Sequence, residues 1–137
     1  MPAYTATGDI YNVVSSKVVA ELTDDTAGTT VNTAYVDSAL DRAESVVDSY
    51  VGKVYSVPLT TPVEDSIQHA VLTLAKCYLY KRRPGAIPDE VKEDCDKIIA
   101  WLEDVASGAI ELATDSDALS TGADEDNADQ VFSVQVF

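Results

Sequence analysis

The sequence predicts a mainly helical fold, a small bundle of about four helices that includes an antiparallel helix hairpin. Apolar residues recur at three- and four-residue steps through several segments, and a short Pro-Gly connection at 84–88 joins the last two of them. After Gly108 this pattern ends and the chain continues as an acidic tail. We therefore predict a helical domain over residues 1–112 and a tail over 113–137.

Two short helical segments are predicted near the N-terminus. The first begins near Thr7, a residue suited to the N-cap, and Ser15-Ser16 separates it from the second. Residues 26–33, which are rich in Gly, Thr and Asn, are predicted to form a loop. The apolar positions of the two segments are Ile10, Val13, Val14, Val18, Val19 and Leu22.

A long helix is predicted from about Thr33 to Val51. Gly52 would follow it in the left-handed conformation, which suits a residue without a Cβ. Residues 53–59 are predicted to be extended, because Val57 precedes a proline. The apolar stripe of the helix comprises Val36, Ala39, Leu40, Ala43, Val46, Val47 and Tyr50.

The third helix has a clear start signal, with Thr61 as N-cap, Pro62 in the first helical position and Glu64 completing a capping box. The basic run 81–83 would end this helix, and Pro84-Gly85 would stop it. Its apolar stripe comprises Val63, Ile67, Ala70, Val71, Leu74, Cys77 and Tyr78.

The fourth helix is predicted to begin near Pro88-Asp89-Glu90, with Gly108 as the C′ residue that stops it. Its apolar stripe comprises Val91, Cys95, Ile98, Leu102 and Val105. Cys77 and Cys95 lie equally far from the hairpin connection, so the two sulfurs are expected at the same height. A reducing compartment would keep them as thiols.

The chain carries a net charge of −15, and its distribution is uneven. Residues 111–137 hold seven acids and no Lys or Arg, and the other 110 residues hold 17 acids against nine bases. Such a surface repels phosphate backbones, so binding of nucleic acid is not expected, although DNA could slide past it. For the same reason we assign the tyrosines at 50, 55, 78 and 80 to packing rather than to base stacking.

Two sets of residues are candidates for partner binding. Lys81, Arg82 and Arg83 form the one basic cluster, which could dock an acidic partner or only compensate the helix dipole. The tail is predicted to be a flexible acidic tether carrying a β-strand over 131–137, which would add to a sheet edge of another subunit. The strand residues assigned to binding are Val131, Phe132, Val134, Val136 and Phe137.

The sequence contains no phosphate loop, dinucleotide fingerprint or paired-CxxC zinc site. Its single histidine, His69, lies within the third helix without a nucleophile context. We therefore expect no catalytic residue, no cofactor and no metal, and predict that the protein is not an enzyme. No apolar run approaches the ~20 residues that would cross a bilayer, and no secretion signal begins the sequence, so we expect no membrane association.

Several motifs of the chain, and the order in which they occur, are similar to those of small Mu-like phage and prophage structural proteins. The more specific ones are the Tyr-x-Val-Pro-Leu connection at 55–59 and the Trp-Leu-x-x-Val-Ala-x-Gly ending at 101–108. The resemblance covers about residues 4–112, and Ser15-Ser16 and the tail depart from it. The other motifs are Glu21-Leu22-Thr23-Asp24, Val47-Asp48-Ser49-Tyr50 and Tyr80-Lys81-Arg82-Arg83.

The resemblance implies a head–tail connector, or adaptor, in the neck of a virion assembled in the host cytoplasm. It implies a homo-oligomeric ring of twelve subunits between the portal protein and a downstream neck or tail-terminator protein, with DNA passing through the channel unbound. Two other hypotheses remain open from the residues alone. One is an acidic binding module, such as a DNA mimic or an inhibitor of a basic host protein, and the other is a small hydrolase or metal enzyme.

Overall fold

The computed structural model describes residues 4–59, 63–83, 85 and 87–112. These residues form a helical bundle, which confirms the mainly helical fold; the predicted strand 131–137 lies outside them. None of the described helices is long and apolar enough to cross a membrane. The elements are a 3₁₀ helix (Thr7–Asn12), α1 (Ser16–Thr23), α2 (Thr33–Val51), α3 (Asp65–Tyr80) and α4 (Asp89–Ser107).

The predicted break between the first two helical segments is confirmed. The 3₁₀ helix begins at Thr7, with Ala6 rather than Thr7 in the N-cap position. Ser15 caps α1, because its side-chain oxygen accepts a hydrogen bond from the Val18 N–H. Ser15, which lies in the break, therefore also begins the next helix.

The range predicted for α2 is confirmed. Asn32 caps it by accepting a hydrogen bond from the Ala34 N–H. The left-handed conformation predicted for Gly52 is wrong, since its φ is −63°. Glycine is required there for space, because a Cβ at this position would lie 2.7 Å from the Asp48 carbonyl oxygen.

The predicted start of α3 is wrong. The helix begins at Asp65, and Glu64 occupies the N-cap position in an extended conformation without a side-chain capping bond to the backbone. The Glu64 carboxylate instead accepts a hydrogen bond from the Ser66 hydroxyl. Thr61 and Pro62 lie outside the described residues.

Helix α3 is the centre of the bundle. The sequence predicts a single apolar stripe, but buried residues occur all around this helix, because it contacts the 3₁₀ helix, α1, α2 and α4. The additional buried positions are Leu72, Thr73, Ala75 and Leu79.

Helices α3 and α4 form the predicted antiparallel hairpin. Cys77 and Cys95 meet as predicted, with their Cα atoms 6.1 Å apart, and Lys76 pairs with Asp94 at 3.1 Å. The two sulfurs form a disulfide, which differs from the expected thiols. The hairpin register explains this difference, because it holds the Cα atoms within the usual range for a disulfide. Gly108 ends α4 with a φ of +86°, as predicted.

The N-terminal segment is fixed to α2 by buried polar groups. The backbone N–H groups of Tyr4 and Thr5 and the Thr5 hydroxyl all donate to the Glu44 carboxylate. The Tyr4 hydroxyl donates to Asp48 at 2.7 Å and accepts from the Leu59 N–H at 2.8 Å. Tyr4 therefore connects the N-terminus, α2 and the segment that precedes α3.

We expect Tyr4→Phe to lower the free energy of unfolding by about 1–3 kcal/mol, because it leaves the buried Leu59 N–H without an acceptor. Burial raises the pKa of Asp48, and the hydrogen bond from Tyr4 opposes this rise. The substitution should therefore raise the Asp48 pKa further. Urea unfolding and NMR titration of the carboxyl measure the two effects. Tyr11→Phe, at an exposed tyrosine, is the control, and equal stability of the two variants would contradict the prediction.

Candidate partner-binding surface

The basic cluster predicted from the sequence lies just after α3, which ends at Tyr80. Lys81 is exposed, whereas Arg82 and Arg83 are partly buried. The second predicted set, Val131, Phe132, Val134, Val136 and Phe137, lies outside the described residues.

Two of the three basic residues form ion pairs within the chain. Arg82 forms a two-pronged ion pair with Asp25, with nitrogen–oxygen distances of 3.0 and 3.2 Å, and also donates to the Leu22 carbonyl oxygen at 2.7 Å. Arg83 reaches the same carboxylate at 2.9 Å. The Arg82 guanidinium stacks on the Tyr35 ring, with its carbon 3.9 Å from the centroid.

These contacts connect the end of α3 to the loop that follows α1. The Leu22 carbonyl belongs to the last turn of α1, where carbonyls lack helical partners, so Arg82 supplies one. Both arginines thus have a structural role that neither sequence hypothesis included. Partner binding by this cluster stays a prediction.

The loop after α1 is organised by Asp24. Its carboxylate accepts hydrogen bonds from the backbone N–H groups of Thr26, Ala27, Thr29 and Thr30. These bonds hold the Asp24 pKa at about 2. The hydrogen bonds from the two arginines likewise lower the Asp25 pKa to about 2.

These two carboxylates predict a loss of stability in acid. Their pKa values in the fold lie below the ordinary aspartate value of 3.8, so their contribution to stability is present above about pH 4 and disappears as the pH falls towards 2. We expect Asp24→Asn with Asp25→Asn to destabilise the protein at pH 7 and to differ less from the parent at pH 2. Thermal melts across this pH range test this difference in stability. Asp96→Asn, at an exposed residue of α4, is the control. A difference that stays constant with pH would contradict it.

A groove of about 440 Å³ lies between the 3₁₀ helix, α3 and α4. His69 is one of its lining residues, with Nε2 3.4 Å from the Thr73 hydroxyl oxygen. Among the described residues, no group of His, Cys, Asp and Glu is arranged to hold a metal ion. The groove is lined by Val13, Ser66, His69, Thr73, Lys76, Asp94, Lys97, Ile98 and Trp101.

Sequence reasoning missed Asp25 and Glu44. Asp25 is 57 residues from Arg82, and no local pattern joins them. Glu44 did carry a signal, because it lies four residues after Leu40 within the apolar face of α2. A carboxylate on such a face needs buried donors, which the N-terminal segment provides.

Comparison with known proteins identifies the family. The family described as "Bacteriophage Mu, Gp36" matches residues 4–131. The "Mu-like prophage FluMu protein gp36" of Haemophilus influenzae is 37% identical over 84 residues, which are 61% of this chain and 57% of that protein. The chain therefore aligns with little more than half the length of this relative.

The family match continues beyond the helical domain. The resemblance seen in the sequence ends near residue 112, but the match extends to 131, so the acidic stretch 115–129 lies within the range that the family covers. Since this match takes in nearly the whole sequence, the chain belongs to the Bacteriophage Mu Gp36 family and is a protein of Mu-like phages.

Proposed function

We propose that this protein is a structural subunit of the phage particle, a head–tail connector that forms a ring between portal and tail. Membership of the Gp36 family over residues 4–131 carries the proposal, since it connects the chain to Mu-like phages. In this role twelve copies would repeat one contact between unlike surfaces until the ring closes. The ring would bind the portal protein on one side and a neck or tail-terminator protein on the other.

The charge of the chain supports this role. With 24 acidic and nine basic residues, the subunit would line a channel with negative charge. Such a lining repels the DNA backbone and lets DNA pass without being held. The helical body is also suited to the role, because polar contacts between its elements, such as those of Arg82 with Asp25, fix its shape.

Assembly on the portal is the direct test. The chain would be produced together with the portal protein of its own phage and examined by native mass spectrometry and negative-stain electron microscopy. We expect a complex with one additional ring of this subunit on the portal. A free monomer in isolation would not contradict the proposal, since the ring can require the portal as template. Failure of the two proteins to associate over a range of concentrations would contradict it.

The net charge of −15 favours a second candidate, an acidic module that binds a basic host protein. That function predicts a one-to-one complex that weakens strongly as salt rises, because screening removes the attraction between exposed charges. A pull-down from host lysate at low and high salt distinguishes it from the connector.

A further inference from the structure

Three basic side chains lie over the rings of two tyrosines, Tyr50 of α2 and Tyr78 of α3. Arg42 stacks on the Tyr78 ring, with its guanidinium carbon 4.4 Å from the centroid, and Lys81 approaches the same ring at 5.7 Å. Lys53 lies 5.6 Å from the centroid of Tyr50. We call these five residues the tyrosine–cation patch.

The two tyrosines fix the cations of the patch. Both tyrosines are partly buried. A cation over an aromatic face is attracted by the ring quadrupole. Tyr78 therefore holds the cationic groups of Arg42 and Lys81, and Tyr50 holds that of Lys53.

The charges of the patch have no acidic partner within the described part of the chain. The ion pairs found there use Lys76, Arg82 and Arg83, and none involves the three cations of the patch. This is unusual in a chain with 24 acids and nine bases. Among the described residues, the patch thus presents three positive charges without an acidic partner, in a chain of net charge −15.

Leu112, the last described residue before the acidic tail, is attached near one member of the patch. The Leu112 N–H donates to the buried Tyr55 hydroxyl at 2.9 Å, and Tyr55 is two residues from Lys53. Asp115 follows Leu112 by three residues, so the first acid of the tail lies within about 10 Å of Leu112 along the chain. Residues 115–129 hold six acids, namely Asp115, Asp117, Asp124, Glu125, Asp126 and Asp129, and no base.

We propose that the acidic stretch 115–129 binds the tyrosine–cation patch of its own chain. The stretch matches the patch in charge, and its attachment near Tyr55 gives it a high effective concentration there. A DNA backbone or an acidic surface of another protein would have to displace it. The proposal holds whether or not the protein forms a ring, because every group it uses belongs to one chain.

Carbodiimide cross-linking with mass spectrometry tests this contact, because the reagent joins a lysine amine to a carboxylate that touches it. The full-length chain would be cross-linked as an equal mixture of ¹⁴N- and ¹⁵N-labelled copies. We expect links from residues 115–129 to Lys53 and Lys81 to be several-fold more abundant than links to Lys92 and Lys97, which are also exposed. The links should join residues of one label and disappear near 1 M salt, where the screening length is about 3 Å.

Matched charge reversals complete the test. Lys53→Glu with Lys81→Glu should shift the NMR amide signals of residues 115–129, whereas Lys92→Glu with Lys97→Glu changes the net charge equally and should leave them in place. Equal linking of all four lysines, or identical spectra of the two variants, would overturn the proposal. Links between differently labelled copies would assign the patch to a second copy. Binding of duplex DNA that depends on the patch, without cross-links from the tail acids, would assign the patch to nucleic acid. Either of these last two results would overturn the proposal.

Discussion

Replacing Cys77 by serine is expected to lower the free energy of unfolding of the oxidised protein by about 3 kcal/mol. The disulfide with Cys95 closes a loop of 18 residues, and a cross-link of that length restricts the unfolded chain by this amount. For a domain of about 100 residues the loss corresponds to a fall in Tm of roughly 10–15 °C. Differential scanning calorimetry of parent and variant measures it.

Reduction of the parent protein provides the control. Dithiothreitol should lower the Tm of the parent towards that of Cys77→Ser and leave the variant unchanged. Cys95→Ser should behave in the same way, since it removes the same bond. Free-thiol labelling with mass spectrometry must accompany the melts. A reduced parent that keeps its Tm while both thiols are labelled would show that the disulfide does not stabilise the fold.

The disulfide also shows what the sequence could predict. Equal distances from the hairpin connection were enough to place Cys77 beside Cys95, because two antiparallel helices rise at the same rate per residue. The state of the sulfurs depended instead on an assumption about the compartment. Register is thus a local property of the chain, whereas oxidation state is not.

Some helix boundaries were predictable from the sequence. The apolar pattern was enough for α2, whose predicted range of Thr33 to Val51 is the observed one although Gly52 is not left-handed. For α4 the glycine signal held, because Gly108 ends the helix with a positive φ. For α3 the capping motif predicted a start at Pro62, but the helix begins at Asp65. A short motif records a local preference, and tertiary contacts can override it.

The candidate surface was predictable only in part. The basic run 81–83 is visible in the sequence, but the roles of its members differ. Arg82 and Arg83 form ion pairs with Asp25, whereas Lys81 lies near the Tyr78 ring. These partners are brought together by the packing of α1, α2 and α3, which cannot be read from the spacing of residues in the sequence. The charge of the tail was evident, but the hydrogen bond that attaches Leu112 to Tyr55 required the structure.

A chain that ends after Leu112 is expected to keep its fold and lose its assembly with the portal. The truncation keeps the described contacts of the helical body, including the hydrogen bond from Leu112 to Tyr55, so the Tm should change by only a few degrees. The strand predicted over 131–137, however, would join neighbouring subunits. Calorimetry and native mass spectrometry with the portal protein measure the two effects.

A full-length variant separates the apolar strand from the acidic stretch before it. Phe132→Ser combined with Val134→Ser and Val136→Ser keeps the length and charge of the tail but removes the side chains that would pack against a sheet edge. We expect this variant to lose assembly as the truncated chain does. If the truncated chain formed a complete ring on the portal, the tail would not join the subunits, and ring closure would rest on the helical body alone. Loss of assembly in the truncated chain but not in the serine variant would assign that role to the acidic stretch.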